Sequence, residues 1–326
     1  MLEIPGYRII EKIGRSSMTT VWKAYQSSLE RYVTIKVLKD EFADDPQETE
    51  RFFAEAKQTS ALKHPGILQI FDADVYNGQY FVVMEHISGP TLDVLIHEKG
   101  PLPPKWSMGV AAQVARALGY AWNRHSLIHR NLTPRSVFVG GQYVAKLAYL
   151  GLSLRVKPTD GETRIRPGMI VGTPYYMSPE QACCSPDLDF RADMYSLGAT
   201  LYHMVTGTMP FGKHDPMQAL RCQMEDELPH PCQDSRSIPP GIGYVIRKLM
   251  MKDPVNRYAD WREASLFMEK LAAGKVLVSG GTNGHRSTVR DIKTVSRANA
   301  GPRRSPARPR RQLAHMAHPR LRRILA

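Results

Sequence analysis

Lys36 sits among apolar and β-branched neighbours in the run Val33-Thr-Ile-Lys-Val-Leu-Lys. An ammonium group placed there can hold an anion such as a phosphate by direct charge contact. Upstream, Gly14-Arg-Ser-Ser-Met-Thr opens on a glycine, whose missing side chain lets a backbone approach a ligand closely. Ser16 and Thr19 put side chains back into the same loop. Further on, His129-Arg-Asn-Leu-Thr-Pro-Arg-Ser offers only neutral groups at Asn131, Thr133 and Ser136. An amide takes no proton at neutral pH, and a serine hydroxyl or the Tyr149 phenol, with a pKa near ~10, is equally uncharged there. Mg²⁺ favours hard, preferably anionic oxygen ligands. Cys183 and Cys184 are adjacent and bridge poorly, and with Cys222 and Cys232 they show no zinc spacing. We read all four as reduced structural thiols.

These side chains need elements to hold them. Tyr7-Arg-Ile-Ile-Glu-Lys-Ile, Thr20-Val-Trp-Lys-Ala-Tyr and Arg31-Tyr-Val-Thr-Ile-Lys-Val-Leu read as strands. A helical pattern spans Pro46 to Leu62, followed by strands near Ile67–Ala73 and Gln79–Met84. After Gly89 the pattern turns helical, with helices expected over Lys105–His125, Arg191–Val205, Met217–Glu225, Gly241–Met251 and Trp261–Ala272. Short strands are expected near Ser136–Val139 and Ala145–Leu147. The fold class is therefore α+β, a small strand-rich lobe with one helix (about residues 1–88) and a larger helical lobe (about 89–275).

Strand, glycine turn, strand, lysine strand and acidic helix is the order in which a protein kinase begins. Later segments agree in order: Val83-Met-Glu-His-Ile, His129-Arg-Asn-Leu-Thr-Pro-Arg-Ser, Gly172-Thr-Pro-Tyr-Tyr-Met-Ser-Pro-Glu and Asp193-Met-Tyr-Ser-Leu-Gly. From about Tyr7 to Leu271 the chain resembles the serine/threonine protein kinases, most closely the bacterial receptor-like branch. The resemblance implies an antiparallel-sheet lobe above a helical lobe, with a nucleotide cleft between them. It implies that Lys36 grips nucleotide phosphates and pairs with Glu55, and that Gly14 and Val21 roof the site. It makes Met84 the gatekeeper, with the backbone of Glu85 and Ile87 meeting adenine. Thr34 would stand where the family usually has a small alanine. Glu180 and Arg257 would tie the activation segment down, and Asp193 would hold the loop carrying His129 and Arg130.

The same resemblance marks departures. Asn131 stands where the family has its catalytic carboxylate, Thr133 where it has a lysine, and Ser136 and Tyr149 where it has its metal ligands. General-base assistance is worth about 10²–10⁴-fold, and metal ions neutralise the transferring phosphoryl group. The sequence therefore leads us to expect a catalytically inactive homologue, a pseudokinase acting as a signalling scaffold or allosteric regulator. No cofactor is required on this reading, and any ATP binding is expected without Mg²⁺. The rival readings are a weakly active serine/threonine kinase and an adaptor led by the C-terminal segment.

Net charge is +13, and +11 of it falls between Val276 and Ala326. That segment is rich in Gly, Ser, Thr, Pro and Arg, and we expect residues 276–326 to form a disordered basic tail. The remaining +2 argues against a nucleic-acid-binding fold, while the tail itself suits nucleic acid or an anionic membrane surface. A protein partner is expected as well, an active kinase among the candidates. Thr159 and Thr163 read as exposed-loop phosphorylation sites whose phosphate Arg130 could meet. No run reaches the ~20 apolar residues of a membrane span, and no secretory leader is recognisable at Met1-Leu-Glu-Ile-Pro-Gly. A cytoplasmic location is the expectation.

Overall fold

The structure is a computed structural model that describes residues 2–141, 144–148, 172–229, 231 and 238–275, with the backbone alone of 154–155, 276–280 and 287–291. It opens with β1 (Tyr7–Arg15), β2 (Thr19–Gln26) and β3 (Arg31–Leu38). The short α1 (Asp40–Ala43) and α2 (Pro46–Ser60) follow, then β4 (Ile70–Tyr76) and β5 (Gln79–Glu85). The five strands make one antiparallel sheet in the order β1-β2-β3-β5-β4.

Alternation along β3 decides what each face of the sheet carries. Val33, Ile35 and Val37 pack with Ala24, Phe81 and Val83, and Ile4 from the N-terminal strap covers them. Thr34, Lys36 and Leu38 face the other way, where Phe52 and Ala56 of α2 pack with Leu38, Val82 and Met84. Asp45 caps α2 by accepting from Gln47 N at 2.9 Å, and Pro46 fills the first helical position. The buried stripe Thr49, Phe52, Ala56 and Thr59 turns Glu55 toward the lysine strand.

The rest of the chain is mostly helical. It contains α3 (Leu92–Lys99), α4 (Pro104–His125), α5 (Pro179–Ala182), α6 (Arg191–Thr206), α7 (Pro216–Glu225), α8 (Pro240–Leu249) and α9 (Trp261–Ala272). Two-stranded pairs β6 (Leu127–Ile128) with β9 (Leu154–Arg155), and β7 (Val137–Val139) with β8 (Ala145–Leu147), lie among them. Val110, Val114 and Leu118 of α4 share one core with Met194, Leu197 and Leu201 of α6. Gly119 lets α9 come close, since a Cβ there would lie 2.9 Å from Trp261 Cβ. This is the expected bilobal architecture of a protein kinase.

Two expectations need correction. The fourth strand starts at Ile70 rather than near Ile67, because the preceding residues pair elsewhere: Leu68 N donates to Leu147 O and Leu147 N to Gly66 O, both at 2.8 Å. These bonds stitch the sheet region to β8. The segment from Val276 on also does not begin without structure. Val276–Gly280 (β10) pairs antiparallel with Ser287–Asp291 (β11), and β10 runs beside α8. Val276, Val278, Thr288 and Val289 are β-branched residues that favour such pairing. The rest of the basic segment, with Tyr149, Thr159, Thr163 and Cys232, lies outside the described residues. Among the described residues, no helix is long and apolar enough to cross a membrane.

Candidate active site

Register places the roof of the cleft. Lys36 lies opposite Val21 on β2 and Val82 on β5, Gly14 lies opposite Val21, and Thr34 lies opposite Met84. Lys36 Nζ donates to both carboxylate oxygens of Glu55, at 3.1 and 3.2 Å, and lies 5.6 Å from the centre of the Phe52 ring. Both side chains of the pair keep some exposure, 16% and 25%. The ammonium is thus fixed on the cleft face of the sheet without being sealed in.

The turn between β1 and β2 is knit to itself. Ser16 N donates to Thr19 O at 2.8 Å. Ser16 Oγ accepts from Met18 N at 3.3 Å and Thr19 N at 3.0 Å, and it lies 2.9 Å from Thr19 Oγ1. Lys39 ties the loop from the other side through Ser17 O and Met18 O.

At the back of the cleft, Glu85 is buttressed rather than free. Its carboxylate accepts from Lys146 Nζ at 2.7 Å, and its N–H donates to Gln69 O at 2.9 Å. Ile87 packs against the Leu38, Phe52 and Met84 cluster, and its carbonyl accepts from Gly89 N at 3.0 Å. Thr34 does more than narrow the slot: its Oγ1 is 3.1 Å from His86 Nδ1. Burial and the nearby Lys23 ammonium pull the His86 imidazole below its usual pKa. Lys146 and His86 carried no sequence signal as site residues, because their roles come from partners distant in the chain.

The floor of the cleft hangs from α6. Asp193 accepts from His129 N at 2.6 Å and Arg130 N at 2.8 Å. Burial pushes the Asp193 carboxyl up to about 6, although both backbone bonds and the Arg130 charge favour its ionised form. Burial pushes the His129 imidazole down to about 4. Ala148 O can only accept, so His129 Nε2 donates to it at 3.2 Å, which leaves Nδ1 to accept from Asn131 N at 3.3 Å. Arg130 holds φ at +68°, with its carbonyl bound by Gln181 Nε2 at 2.8 Å. Contacts on both sides over-determine that rarely populated conformation. Arg130 Nε and Nη1 are buried and have no hydrogen-bond partner among the described residues.

Asn131 and Thr173 meet: the threonine hydroxyl donates to Asn131 Oδ1 at 2.9 Å. Thr173 was only a nearby activation-segment threonine in the sequence, and nothing there marked it as this partner. Gly172 makes the approach possible at φ +138°, since a Cβ there would sit 3.3 Å from Arg130 O. Ser136 Oγ donates to Thr133 O at 2.8 Å and accepts from Thr133 N at 3.1 Å, with Ser136 only 3% exposed. That closed pair does not fit a metal ligand. Among the described residues, no group of three or more His, Cys, Asp or Glu side chains could hold a metal ion. Arg257 anchors the segment through Glu180, with Nη1 and Nη2 donating at 2.6 and 2.8 Å.

Residues 7–268 match the protein kinase domain family. The chain is 34% identical over 265 residues to a probable serine/threonine-protein kinase of Clostridium perfringens, covering 81% of this chain and 38% of the relative. It is 33% identical to the serine/threonine-protein kinase PknB of Mycolicibacterium smegmatis, covering 77% of this chain and 40% of the relative. With the serine/threonine-protein kinase PrkC of Bacillus subtilis the identity is 30%, over 77% of this chain and 38% of the relative. The chain thus spans about two fifths of the length of these relatives. Their kinase names overturn the expectation of a catalytically inactive homologue. The sheet, the Lys36–Glu55 pair and this kinship agree: the chain belongs to the serine/threonine protein kinase family.

Proposed function

We propose that this chain binds ATP in the cleft and transfers its γ-phosphoryl group to a serine or threonine hydroxyl of a protein, at a rate held down by the neutral side chain at 131. The observation that carries the reading is the formed Lys36–Glu55 pair, which presents a fixed cation to phosphate oxygens. The printed names of the relatives support the same class of reaction.

In this reaction the acceptor Oγ bonds to the γ-phosphorus, and the bond from that phosphorus to the β–γ bridging oxygen breaks to release ADP. Asn131 orients the hydroxyl by hydrogen bonding but cannot take its proton, which passes to a phosphate oxygen or to solvent. Positioning and charge carry most of phosphoryl-transfer catalysis. Loss of base assistance therefore slows the reaction by about 10²–10⁴-fold without changing its class. Ser136 does not fit a metal, and no step here runs through one. Lys36 is the cation that meets the nucleotide, so we propose that ATP binding itself is independent of Mg²⁺.

The test is incorporation of radiolabelled γ-phosphate into a generic protein acceptor, with Lys36→Met as the blank. Incorporation above the blank supports the proposal. Wild-type incorporation equal to the blank in both Mg²⁺ and Mn²⁺ overturns it.

A further inference from the structure

A glycine loop binds phosphate because its backbone N–H groups point into a concave space and are left without partners. Here the amides of Met18 and Thr19 already have one. Ser16 Oγ accepts from Met18 N and Thr19 N. A hydroxyl oxygen has two lone pairs and one hydrogen. Both lone pairs are used, so the contact to Thr19 Oγ1 at 2.9 Å must be Ser16 donating its own hydrogen. The Ser16 hydroxyl is saturated. Thr19, 6% exposed, cannot easily turn away, and Lys39 holds Ser17 O and Met18 O from behind.

We propose that Ser16 occupies the loop's phosphate cradle in place of a ligand, so that this site reads the nucleoside and leaves the outer phosphates to Lys36 alone. The proposal rests on the nucleotide-binding reading above and deepens it into a specificity. A phosphate tail must break the Ser16 bonds before the loop can hold it. ATP and ADP therefore bind with similar affinities, and adenosine is weaker only by the contact that Lys36 makes to phosphate, unlike in a site whose loop amides stand free.

Two measurements test this on the full chain. The first needs no nucleotide: residue-resolved hydrogen exchange of Met18 and Thr19 in the wild type and in Ser16→Ala. The clasp predicts that both amides exchange at least about tenfold faster in the variant, the loss expected when hydrogen bonds are removed. Equal exchange overturns it. The second is calorimetric titration of ATP, ADP and adenosine into the wild type and Ser16→Gly. We expect the wild-type ATP and ADP affinities to agree within about threefold, with adenosine weaker by the Lys36 contact, and ATP to tighten about tenfold in Ser16→Gly while adenosine stays unchanged, the gain of one charge-assisted contact. An equal gain for adenosine overturns the proposal, since the variant would then have opened the cleft in general. Unchanged ATP affinity overturns the clasp and leaves the nucleotide reading standing. Absence of binding by any nucleotide to either protein overturns both. Ser16→Ala retains the side-chain carbon and guards against a variant that merely misfolds.

Discussion

Thr173 donates its hydroxyl hydrogen to Asn131 Oδ1 at 2.9 Å, joining the segment that follows Gly172 to the loop that carries His129 and Arg130. Asn131→Asp would place an anion at that atom. The bond from Thr173 would become charge-assisted and shorter, and the loop would gain a group able to accept a proton. Phosphate incorporation should rise by about 10²–10⁴-fold. Adding Thr173→Ala to that variant should remove part of the gain by loosening the carboxylate. Initial rates with radiolabelled ATP measure both effects. No gain from Asn131→Asp would mean that residue 131 does not face the acceptor.

Lys36 is the second point of test. ATP at about 100 times its Kd should stabilise the fold by about 2.7 kcal/mol, a rise of several degrees in Tm for a chain of this size. The rise should be the same in Mg²⁺ and in EDTA, because the contact is ammonium to phosphate. It should shrink in Lys36→Met to the rise that adenosine gives, and shrink less in Glu55→Gln, where Lys36 loses its orienting partner. Glu55 retains access to water, so either variant alone should alter the unliganded Tm little. A rise seen only with Mg²⁺ would show that another group anchors the phosphates.

Much of the fold was legible because strand alternation and helical spacing are local signals. Trp261–Ala272 and Ala145–Leu147 begin and end where the pattern places them. Helix α3 was missed: at Leu92–Lys99 it is short, and its start depends on Thr91 accepting from Val94 N at 3.3 Å. The boundary of β4 was misplaced because Gly66 and Leu68 are claimed by Leu147, far along the chain. At the site, the kinase resemblance pairs Lys36 with Glu55 and ties Asp193 to the loop of His129 and Arg130, and the structure shows both contacts. Sequence treated Ser16 and Thr19 only as lost glycines, and no local rule says that the two side chains bond each other. Ser136 likewise reads as a missing metal ligand, while its closure on Thr133 is a fact of three dimensions.

His129 and Asp193 should give opposed pH dependences. Burial raises the Asp193 carboxyl to about 6 in the fold, above the usual value of 3.8. Between those values the native state binds more protons than the unfolded chain, so this group's contribution falls as pH rises. His129 is lowered from 6.5 to about 4. Over that window the unfolded chain binds more protons, so its contribution grows as pH rises. The two windows overlap between about 4 and 6, and wild-type stability should be comparatively flat there by this balance of protons. His129→Gln should expose a decline with rising pH, and Asp193→Asn an increase. Urea denaturation at intervals from pH 4 to 7 would check the two slopes, and slopes of the same sign would refute the assignment.

Arg257 is wholly buried, and Glu180 is its only charged partner among the described ion pairs, with 13% side-chain exposure. The guanidinium also donates to Arg191 O at 2.6 Å, Met251 O at 2.9 Å and Lys252 O at 3.2 Å. Glu180→Ala leaves the charge uncompensated in the interior, which should cost about 3–5 kcal/mol, toward the lower end because the carbonyls remain. Glu180→Gln keeps an oxygen that can accept one N–H, so its cost should be smaller if hydrogen bonding matters beside charge. The order of stability should be wild type, then Glu180→Gln, then Glu180→Ala, by urea denaturation at neutral pH. Equal losses in the two variants would assign the effect to charge alone.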